Sequence, residues 1–294
     1  MKQRAWFQRH FSKIKFNDST LWKQYLSVIA VISSIITLIS FFITAQNHSS
    51  NIIWAGIFVF LLIAIFIYLW YQANQLKEAN LTINQTKVNV KVGDIFTVQE
   101  GELNVIAFND FFDTIVDNRI IAKESLHGKF LKRVEEGKIG MLQELEKIIK
   151  EDKILSTFID EEVPDRKAGK TIRYKMGSVV EFESFILAAF TKFDAENCAY
   201  LSARDYICFW MSFWKNISQI YAGRTINIPL MGAGITYFRD GKPLKQELLE
   251  IMLWTLKISG FQCTYADKSI NFIIYQPDIT DIDFYHTQHN HSFQ

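Results

Sequence analysis

The sequence of 294 residues has few of the features that mark disulfide-rich, repeat-containing or nucleic-acid-binding proteins. It has three cysteines, Cys198, Cys208 and Cys263, and their wide separation predicts reduced, buried thiols instead of a disulfide framework. The formal net charge is +1, so the chain lacks the basic excess typical of proteins that bind DNA or RNA. We therefore expect no nucleic-acid partner.

The sequence also lacks a convincing set of metal ligands. His286, His289 and His291 are close together, but they fall within residues 279–294, which we interpret as a frayed C-terminal tail. We therefore predict no metal site and no bound cofactor.

Hydrophobic residues are abundant and make up 49% of the chain. Much of this excess lies in two runs, 25–45 and 52–71, and neither run contains a charged residue. A helix of about 20 apolar residues spans the hydrocarbon core of a bilayer, whereas a soluble helix is rarely apolar on all sides. Tryptophan and tyrosine residues near the ends of both runs resemble the aromatic belts of membrane proteins. The sequence thus predicts a transmembrane helical hairpin over residues 25–71, in contact with membrane lipid.

The flanks of the two runs predict the orientation of the hairpin. The N-terminal segment, 1–24, contains six Lys and Arg residues, whereas the connection 46–51 contains none. Because positively charged flanks stay on the cytoplasmic side, we expect two spans with both termini in the cytoplasm.

One face of the first span carries small polar residues. Ser33, Thr37, Ser40 and Thr44 are separated by four, three and four positions, which places them on one side of a helix. Such a face allows close packing between helices. It could also line a water-filled gap between assembled hairpins, and the two interpretations are compatible.

Beyond the spans the sequence predicts a polar linker, 72–86, and one α/β domain, 87–278. Apolar strands alternate with amphipathic helices, a pattern typical of a sheet covered by helices on both faces, so we predict a three-layer α/β/α fold. The predicted strands are 88–92, 103–108, 185–192, 225–230, 262–266 and 271–276, and the predicted helices are 137–151, 200–221 and 245–259. The charged stretch 128–175 predicts a helical insertion.

A glycine turn follows one of these strands. The predicted strand 225–230 leads into a turn that contains Gly232 and Gly234, and the helix 245–259 follows. Glycines allow backbone N–H groups to approach a phosphate closely, and a helix N-terminus favours negative charge. Turns of this kind are also ordinary connections in α/β proteins, so phosphate binding is one of two interpretations.

The order of these motifs resembles that of macro domains. A strand ends in Gly93-Asp94-Ile95, a second strand ends at Asn109, and a glycine turn follows a later strand. The resemblance implies that Asp94 accepts a hydrogen bond from the adenine amino group and that Ile95 supports the ring. It implies that Asn109 and Tyr237 lie near the distal ribose of an ADP-ribose ligand.

The same resemblance assigns two phosphate loops. The diphosphate would be wrapped by a loop of five residues, which are Gly232, Ala233, Gly234, Ile235 and Thr236. The first phosphate loop is assigned to a stretch of four residues, which are Ser125, Leu126, His127 and Gly128.

Two spans followed by a divergent macro domain resemble, over nearly the whole chain, the membrane-anchored macro-domain effectors of Thoeris anti-phage defence in bacteria. The resemblance implies a partner TIR-domain enzyme that consumes NAD on infection and releases an ADP-ribose derivative, histidine-linked ADP-ribose in this subtype. It also implies a position in the cell inner membrane, ligand-induced homo-oligomerisation, and membrane disruption that leads to abortive infection.

Two alternatives fit the same fold, namely a membrane-tethered ADP-ribosyl hydrolase and a reader of ADP-ribosylated proteins. A hydrolase needs a positioned water or base near the distal ribose, for which Asn109 and His127 are the candidates. Ordinary macro domains have an Asn-rich stretch and a glycine run after the second strand, whereas this chain has Phe111, Phe112, Asp113 and Thr114. We therefore predict a binding protein without catalytic residues.

Overall fold

The computed structural model describes residues 13–42, 51–97, 99–194 and 196–290. The chain divides into two compact units, one containing residues up to Lys77 together with Asp283–Asn290, and the other containing Glu78–Ile282. The first twelve residues, most of the connection between the predicted spans, Thr44 and His291 lie outside the described residues. The two units are described in turn.

The first unit contains the two apolar helices that the sequence predicted. They are α1 (Ser19–Phe42) and α2 (Asn51–Gln75). By length and composition, Ser19–Thr37 and Gly56–Gln75 could each cross a membrane. Helix α1 begins after Asp18, whose Oδ1 accepts hydrogen bonds from the backbone N–H groups of Thr20 and Leu21. This cap satisfies donors that the first helical turn leaves free.

A cluster of aromatic residues joins the two helices at the end of the hairpin nearest Asp18. The ring of Phe66 lies 4.6 Å from that of Phe16 and 4.8 Å from that of Trp22. The indole N–H of Trp70 donates to the carbonyl of Ile14 over 2.9 Å. These contacts place the chain before α1 against the last turns of α2.

The predicted frayed tail is wrong for residues 284–290, which form a short helix, α8 (Phe284–Asn290), in the same unit. Tyr285 is buried and donates to Gln24 over 2.9 Å. The imidazole of His286 bridges two carboxylates, with Nδ1 2.7 Å from Asp283 and Nε2 2.9 Å from Asp18. Although burial opposes the charge, the two carboxylates raise the pKa of His286. The tail folds because it is tied down by buried and charged contacts.

The second unit is built on a mixed sheet. Its strands are β1 (Glu78–Ile83), β2 (Thr86–Val92), β3 (Glu102–Asn109), β6 (Val179–Phe182), β7 (Phe185–Phe193), β8 (Ala199–Tyr200), β9 (Thr225–Pro229) and β10 (Ser269–Ile274), while β4 (Ile159–Glu162) and β5 (Ile172–Tyr174) form a separate antiparallel pair. The strand order is β1-β2-β10-β9-β3-β7-β6, and β8 pairs with β7. The five central strands in this order, β2, β10, β9, β3 and β7, are parallel, so their carboxyl ends share one edge of the sheet.

A row of asparagine amides links four of the parallel strands. Asn89 donates to Asn271, Asn271 to Asn227, and Asn227 to Asn104, each over 2.7 Å. These residues are also backbone partners in the sheet. Because a shift of one residue would turn the amides to the opposite face, the row favours one register.

Helices cover the sheet on both faces, as predicted. They are α3 (Leu126–Glu135), α4 (Leu142–Glu151), α5 (Lys153–Ser156), α6 (Ala203–Ile220) and α7 (Lys245–Ser259), and a 3₁₀ helix covers Gln276–Asp281. Apolar side chains of α3 and α4 pack with those of β3, β6 and β7 in one core cluster. Helices α6 and α7 pack against each other, and Trp214 of α6 contacts Phe272 of β10. The predicted fold class is confirmed.

Three sequence-based expectations are corrected by the structure. The predicted linker 72–86 contains the end of α2 and the edge strand β1, whose alternate residues Ala79, Leu81 and Ile83 are buried. The predicted strand 262–266 forms no strand, since it lies in the loop before β10. Cys198 and Cys208 are exposed thiols and not buried ones.

Candidate functional site

A cavity of about 320 Å³ opens at the edge of the sheet where the parallel strands end. Strands β3, β7 and β9 contribute their last residues, and the segment 118–127 and the loop after β9 complete the wall. Its lining includes Asn109, Ile120, Ser125, His127, Thr191, Phe193, Asn197, Leu230, Gly232, Gly234 and Thr236. Loops at the carboxyl edge of a parallel sheet are the usual place for a ligand in such folds.

The glycine loop, residues 230–237, forms one side of this cavity. Gly232 has a φ of +82°, and a Cβ at this position would lie 3.2 Å from the ring of Phe238. Gly234 has open space where a Cβ would project. The loop is held from beneath by Tyr206, whose hydroxyl donates to the Met231 carbonyl over 3.0 Å. Gly232 is therefore required by the fold of the loop, whereas Gly234 leaves room for a ligand.

Lys242 holds the outer part of the glycine loop. Its Nζ donates to the carbonyl oxygens of Ala233, over 3.0 Å, and of Gly234. Burial and the nearby charge of Lys245 lower the pKa of Lys242. With these carbonyl groups engaged by an ammonium, the loop presents less negative charge to an anion.

The segment directly after β3 lies next to the cavity residue Asn109 and is fixed by a buried ion pair. The Asp113 carboxylate accepts two bonds from Arg166, over 3.1 and 2.7 Å, and both side chains are buried. Asn109 donates to the same carboxylate over 2.8 Å, and its own Oδ1 accepts from the Asp113 N–H. The Arg166 guanidinium stacks on Phe111 with 3.8 Å to the ring centre, and its Nε donates to Asn197. Arg166 therefore joins the insertion to the cavity residue Asn197 directly, and to Asn109 through the Asp113 carboxylate.

His127 lies in the cavity wall within the first turn of α3. Its Nε2 is 3.0 Å from the Asp113 carbonyl, and its ring lies against Phe108 with 3.6 Å between centroids. Burial lowers the pKa of His127 to about 3. The imidazole is therefore neutral near pH 7, and donation from Nε2 to the carbonyl assigns the proton to that nitrogen.

A second cavity, of about 370 Å³, lies beside the carboxyl end of β7 and is more polar. Its lining includes Asp110, Arg173, Lys192 and Asp205. Burial raises the pKa of Asp110 to about 7, against the opposing effects of Arg173 and of the Phe193 N–H. The sequence analysis assigned no role to these residues.

The structure brings together most of the residues predicted for the site and leaves others apart. Eight of them line the cavity, namely Asn109, Ser125, Leu126, His127, Gly232, Gly234, Ile235 and Thr236. Tyr237 and Ala233 lie in the same loop but outside the lining, and Tyr237 is exposed. A Cβ on Gly128 would overlap the Ala122 carbonyl, so this glycine serves the packing of α3.

Asp94 and Ile95 lie at the carboxyl end of β2, outside the cavity lining. Asp94 is exposed, and its Oδ1 accepts the Phe96 N–H over 3.0 Å in a tight turn. Ile95 is buried in the core cluster that also contains Phe108. The remaining carboxylate oxygen of Asp94 is a hydrogen-bond acceptor available at the edge of the sheet.

Several residues of the site were missed by the sequence analysis. Phe193, the last residue of β7, and Asn197, in the turn after it, line the cavity, and Arg166 and Lys242 bind residues of its wall. The partner of Arg166 is distant in sequence, since Asp113 lies 53 positions away. In the sequence, Lys242 and Lys245 beside Pro243 could have indicated the contribution of Lys242, because a cation near a glycine turn suits an anion-binding site.

These features define an α/β protein with a cavity at the carboxyl edge of its sheet, and comparison with known proteins identifies this part of the chain as a macro domain. Residues 88–275 match the family model described as Thoeris protein ThsA, macro domain. The chain belongs to this ThsA family. The curated Thoeris protein ThsA of Bacillus amyloliquefaciens (strain Y2) is 38% identical over 272 residues, which cover 91% of this chain and 89% of the relative.

A solved structure also resembles the chain. It is described as the Oceanobacillus iheyensis macrodomain with MES bound, and it is 15% identical, with a TM-score of 0.41. The match covers 72% of this chain and 95% of that chain.

Proposed function

We propose that this chain is a nucleotide-gated membrane effector of anti-phage defence. Its macro domain binds an ADP-ribose derivative, histidine-linked ADP-ribose, which a partner TIR-domain NADase releases. Binding drives assembly of several copies in the cell inner membrane, and the assembled spans disrupt the membrane, which leads to abortive infection. The observation that supports this proposal best is the cavity walled by the glycine loop, in a chain of the ThsA family.

The cavity suits a diphosphate. The N-terminus of α3 lies in the wall, where Ser125 caps the helix by accepting the Gly128 N–H. A helix N-terminus carries partial positive charge. The glycine loop lies across from it and has its carbonyl groups drawn towards Lys242. Two sources of backbone donors therefore flank one space, as a pair of phosphates requires.

The same edge of the sheet has an acceptor for adenine. Asp94 ends β2, and Tyr275 follows the neighbouring strand β10 and is exposed. A carboxylate accepts a hydrogen bond from an amino group, and an aromatic face stacks on a base. We propose adenine recognition by Asp94, with the ring supported beside Ile95, and place the distal ribose towards Asn109 and Tyr237.

The ionisable groups of the cavity favour binding over catalysis. Among the described lining residues these groups belong to Arg119, Glu124 and His127. With a pKa of about 3, His127 is a weak base near pH 7. The Glu124 carboxylate is exposed and lies 3.6 Å from Lys129, and the amide of Asn109 is engaged by Asp113. A hydrolase would need a better base beside the distal ribose.

We assign the membrane disruption to α1 and α2. Their lengths and apolar composition match a bilayer. A ligand can drive such an output only by binding the assembled state more tightly than the resting state. The proposal therefore requires a coupling between cavity and assembly, which is about 1–3 kcal/mol for a typical site.

Titration calorimetry of the full chain with ADP-ribose and with histidine-linked ADP-ribose tests the binding step. Asp94→Ala should weaken binding by about 1–3 kcal/mol, the cost of a lost charged hydrogen bond. Asp267→Ala is the matched control. Asp267 is also an exposed turn carboxylate, but it lies before the amino end of β10, at the edge of the sheet opposite to the cavity. Equal affinities for all three proteins would contradict the adenine assignment.

The hydrolase alternative predicts a different result. An enzyme would release ADP-ribose from an ADP-ribosylated protein at a substantial rate, and substitution of Asn109 or His127 would abolish that release. A reader of modified proteins would bind them without turnover and without any change in vesicle permeability. Either outcome would replace the proposal.

A further inference from the structure

Helix α7 exposes a regular row of apolar side chains. Leu244, Ile251, Trp254 and Ile258 are separated by seven, three and four positions, which is the spacing of a helix–helix seam. Leu244, which directly precedes the helix, is 70% exposed, Trp254 53% and Ile258 48%, while Ile251 is half-buried. The opposite side of α7 is buried against the sheet unit through residues such as Leu249 and Met252. The exposed row is therefore an apolar surface in addition to the one that folds the domain.

A groove lies next to Trp254 on this surface. It is lined by Pro243, Glu247, Glu250, Ile251 and Trp254. Four of these residues occupy positions i, i+3, i+4 and i+7 of the helix, which form the diamond-shaped hole of knobs-into-holes packing. The helix thus presents a groove that can accept a side chain, and Trp254 at the border of this groove is itself a large side chain that can be inserted.

We propose that this row, the α7 seam, is a contact between two copies of the chain related by a two-fold axis. Antiparallel pairing inserts Trp254 of each copy into the groove of the other, because a two-fold contact uses the same patch on both partners. The indole N–H then meets the Glu247 and Glu250 carboxylates of the second copy. The same pairing places Lys257 on the flank that carries Glu250 of the second copy, so opposite charges meet.

The seam is connected to the ligand cavity by adjacent residues. Lys242 holds the carbonyl groups of Ala233 and Gly234, and the next residue, Pro243, forms one wall of the groove. An anion in the glycine loop competes for the Lys242 ammonium and so changes the position of that wall. The seam thereby supplies a contact surface for the ligand-induced assembly, and this part of the inference rests on the proposed function.

Trp254→Glu in the full chain tests the seam, with Met141→Glu as the control. Met141 is 62% exposed and precedes a different helix, so it adds the same charge at a comparable apolar site. Analytical ultracentrifugation in detergent, over a concentration series with and without ADP-ribose, measures self-association. Trp254→Glu should raise the dissociation constant at least about tenfold, since a central tryptophan is typically a hot spot, whereas Met141→Glu should leave it unchanged.

A charge exchange provides a second test that does not remove the apolar seam. Glu250→Lys and Lys257→Glu should each weaken self-association about threefold to tenfold, as like charges then meet at two symmetric places. An equimolar mixture of the two variants should associate as tightly as the unaltered chain, because each copy then faces the opposite charge. Thermal unfolding of each variant checks that the fold is retained.

Several results would overturn the seam. Trp254→Glu could associate as tightly as the unaltered chain, or Trp254→Glu and Met141→Glu could weaken association equally. The mixture of the two charge variants could fail to recover association, or the unaltered chain could remain a monomer at every concentration. Reduced ligand-triggered dye leakage by Trp254→Glu with unchanged stoichiometry would make the surface a lipid contact instead. A failure of the proposed function is distinguishable from a failure of the seam, since the unaltered chain would then not bind ADP-ribose.

Discussion

Gly232 and Gly234 are two positions apart but serve different purposes. Gly232→Ala should destabilise the loop, because its positive φ disfavours a side chain and the new Cβ would press on Phe238. Gly234→Ala meets open space and should leave the thermal unfolding temperature unchanged. Gly234→Glu should keep the fold but abolish ADP-ribose binding, because a carboxylate repels the diphosphate. Calorimetric affinity and the unfolding temperature, measured together, check this; normal binding by Gly234→Glu would remove the loop from the site.

His127 should make the stability of the fold depend on pH. Its pKa falls from 6.5 to about 3 on burial, so between these values the unfolded chain binds a proton that the folded chain does not. Stability is therefore fully present above about pH 6.5 and falls as the pH is lowered, by up to about 1.4 kcal/mol per pH unit.

The measurement for His127 is a comparison of urea unfolding between the unaltered chain and His127→Gln from pH 7.5 to 5. Asp110 acts in the opposite direction, since burial raises its pKa to about 7 and its contribution is lost as the pH rises. The difference between the two proteins isolates His127. Parallel stability curves would contradict the buried, neutral imidazole.

Individual site residues were predictable where the chemistry is local. The glycine turn and the stretch 125–128, which was predicted as a phosphate loop, are each contiguous in sequence, and residues of both line the cavity. The stretch 125–128 is in fact the start of α3, a helix that was not predicted. Arg166 was not predictable, because a lone arginine in a charged stretch gives no sign of a buried partner 53 positions away. The adenine assignment to Asp94 stays a prediction, since its side chain lies outside the cavity lining.

At the scale of elements, the insertion between α3 and β6 supports the cavity through Arg166, which binds Asp113 and Asn197. Arg166→Met should lower the free energy of unfolding by about 3–5 kcal/mol, because it leaves the Asp113 carboxylate buried without its cation. Lys129→Met is the control, since its pair with Glu124 is exposed and worth less than about 1 kcal/mol. Urea denaturation measures both. Asp113→Leu combined with Arg166→Met should recover part of the loss; equal midpoints for Arg166→Met and the unaltered chain would contradict the support.

The edge strand β1 shows where sequence patterns are insufficient. Its buried residues alternate with exposed ones, as in any half-buried strand. Polar residues on the exposed face and the neighbouring end of α2 made the segment look like a linker. The pairing with β2 decides its structure, and a hairpin with Asn84 and Gln85 at positive φ closes the turn. The long, strongly periodic α7 was predicted to the residue, because its pattern needs no distant partner.

At the scale of the whole molecule, binding and output should be separable. A shortened chain of residues 78–282 contains the entire sheet unit, so it should bind ADP-ribose with the affinity of the full chain. It should cause no leakage of dye from vesicles, whereas the full chain with ligand should. The full chain carrying Gly234→Glu keeps the spans but should also leave vesicles sealed. Turnover of ADP-ribosylated protein by the shortened chain, with vesicles sealed throughout, would favour an enzyme.

The chain leaves the helical unit after Lys77 and returns to it at Asp283. Synthesis therefore delivers both apolar helices and then the complete sheet before it delivers α8, whose His286 joins Asp18 at the start of α1. A growing polypeptide therefore completes its sheet unit while its helical unit still lacks one helix. A polypeptide that ends between residues 282 and 284 would contain the complete sheet unit but would lack the third helix of the helical unit.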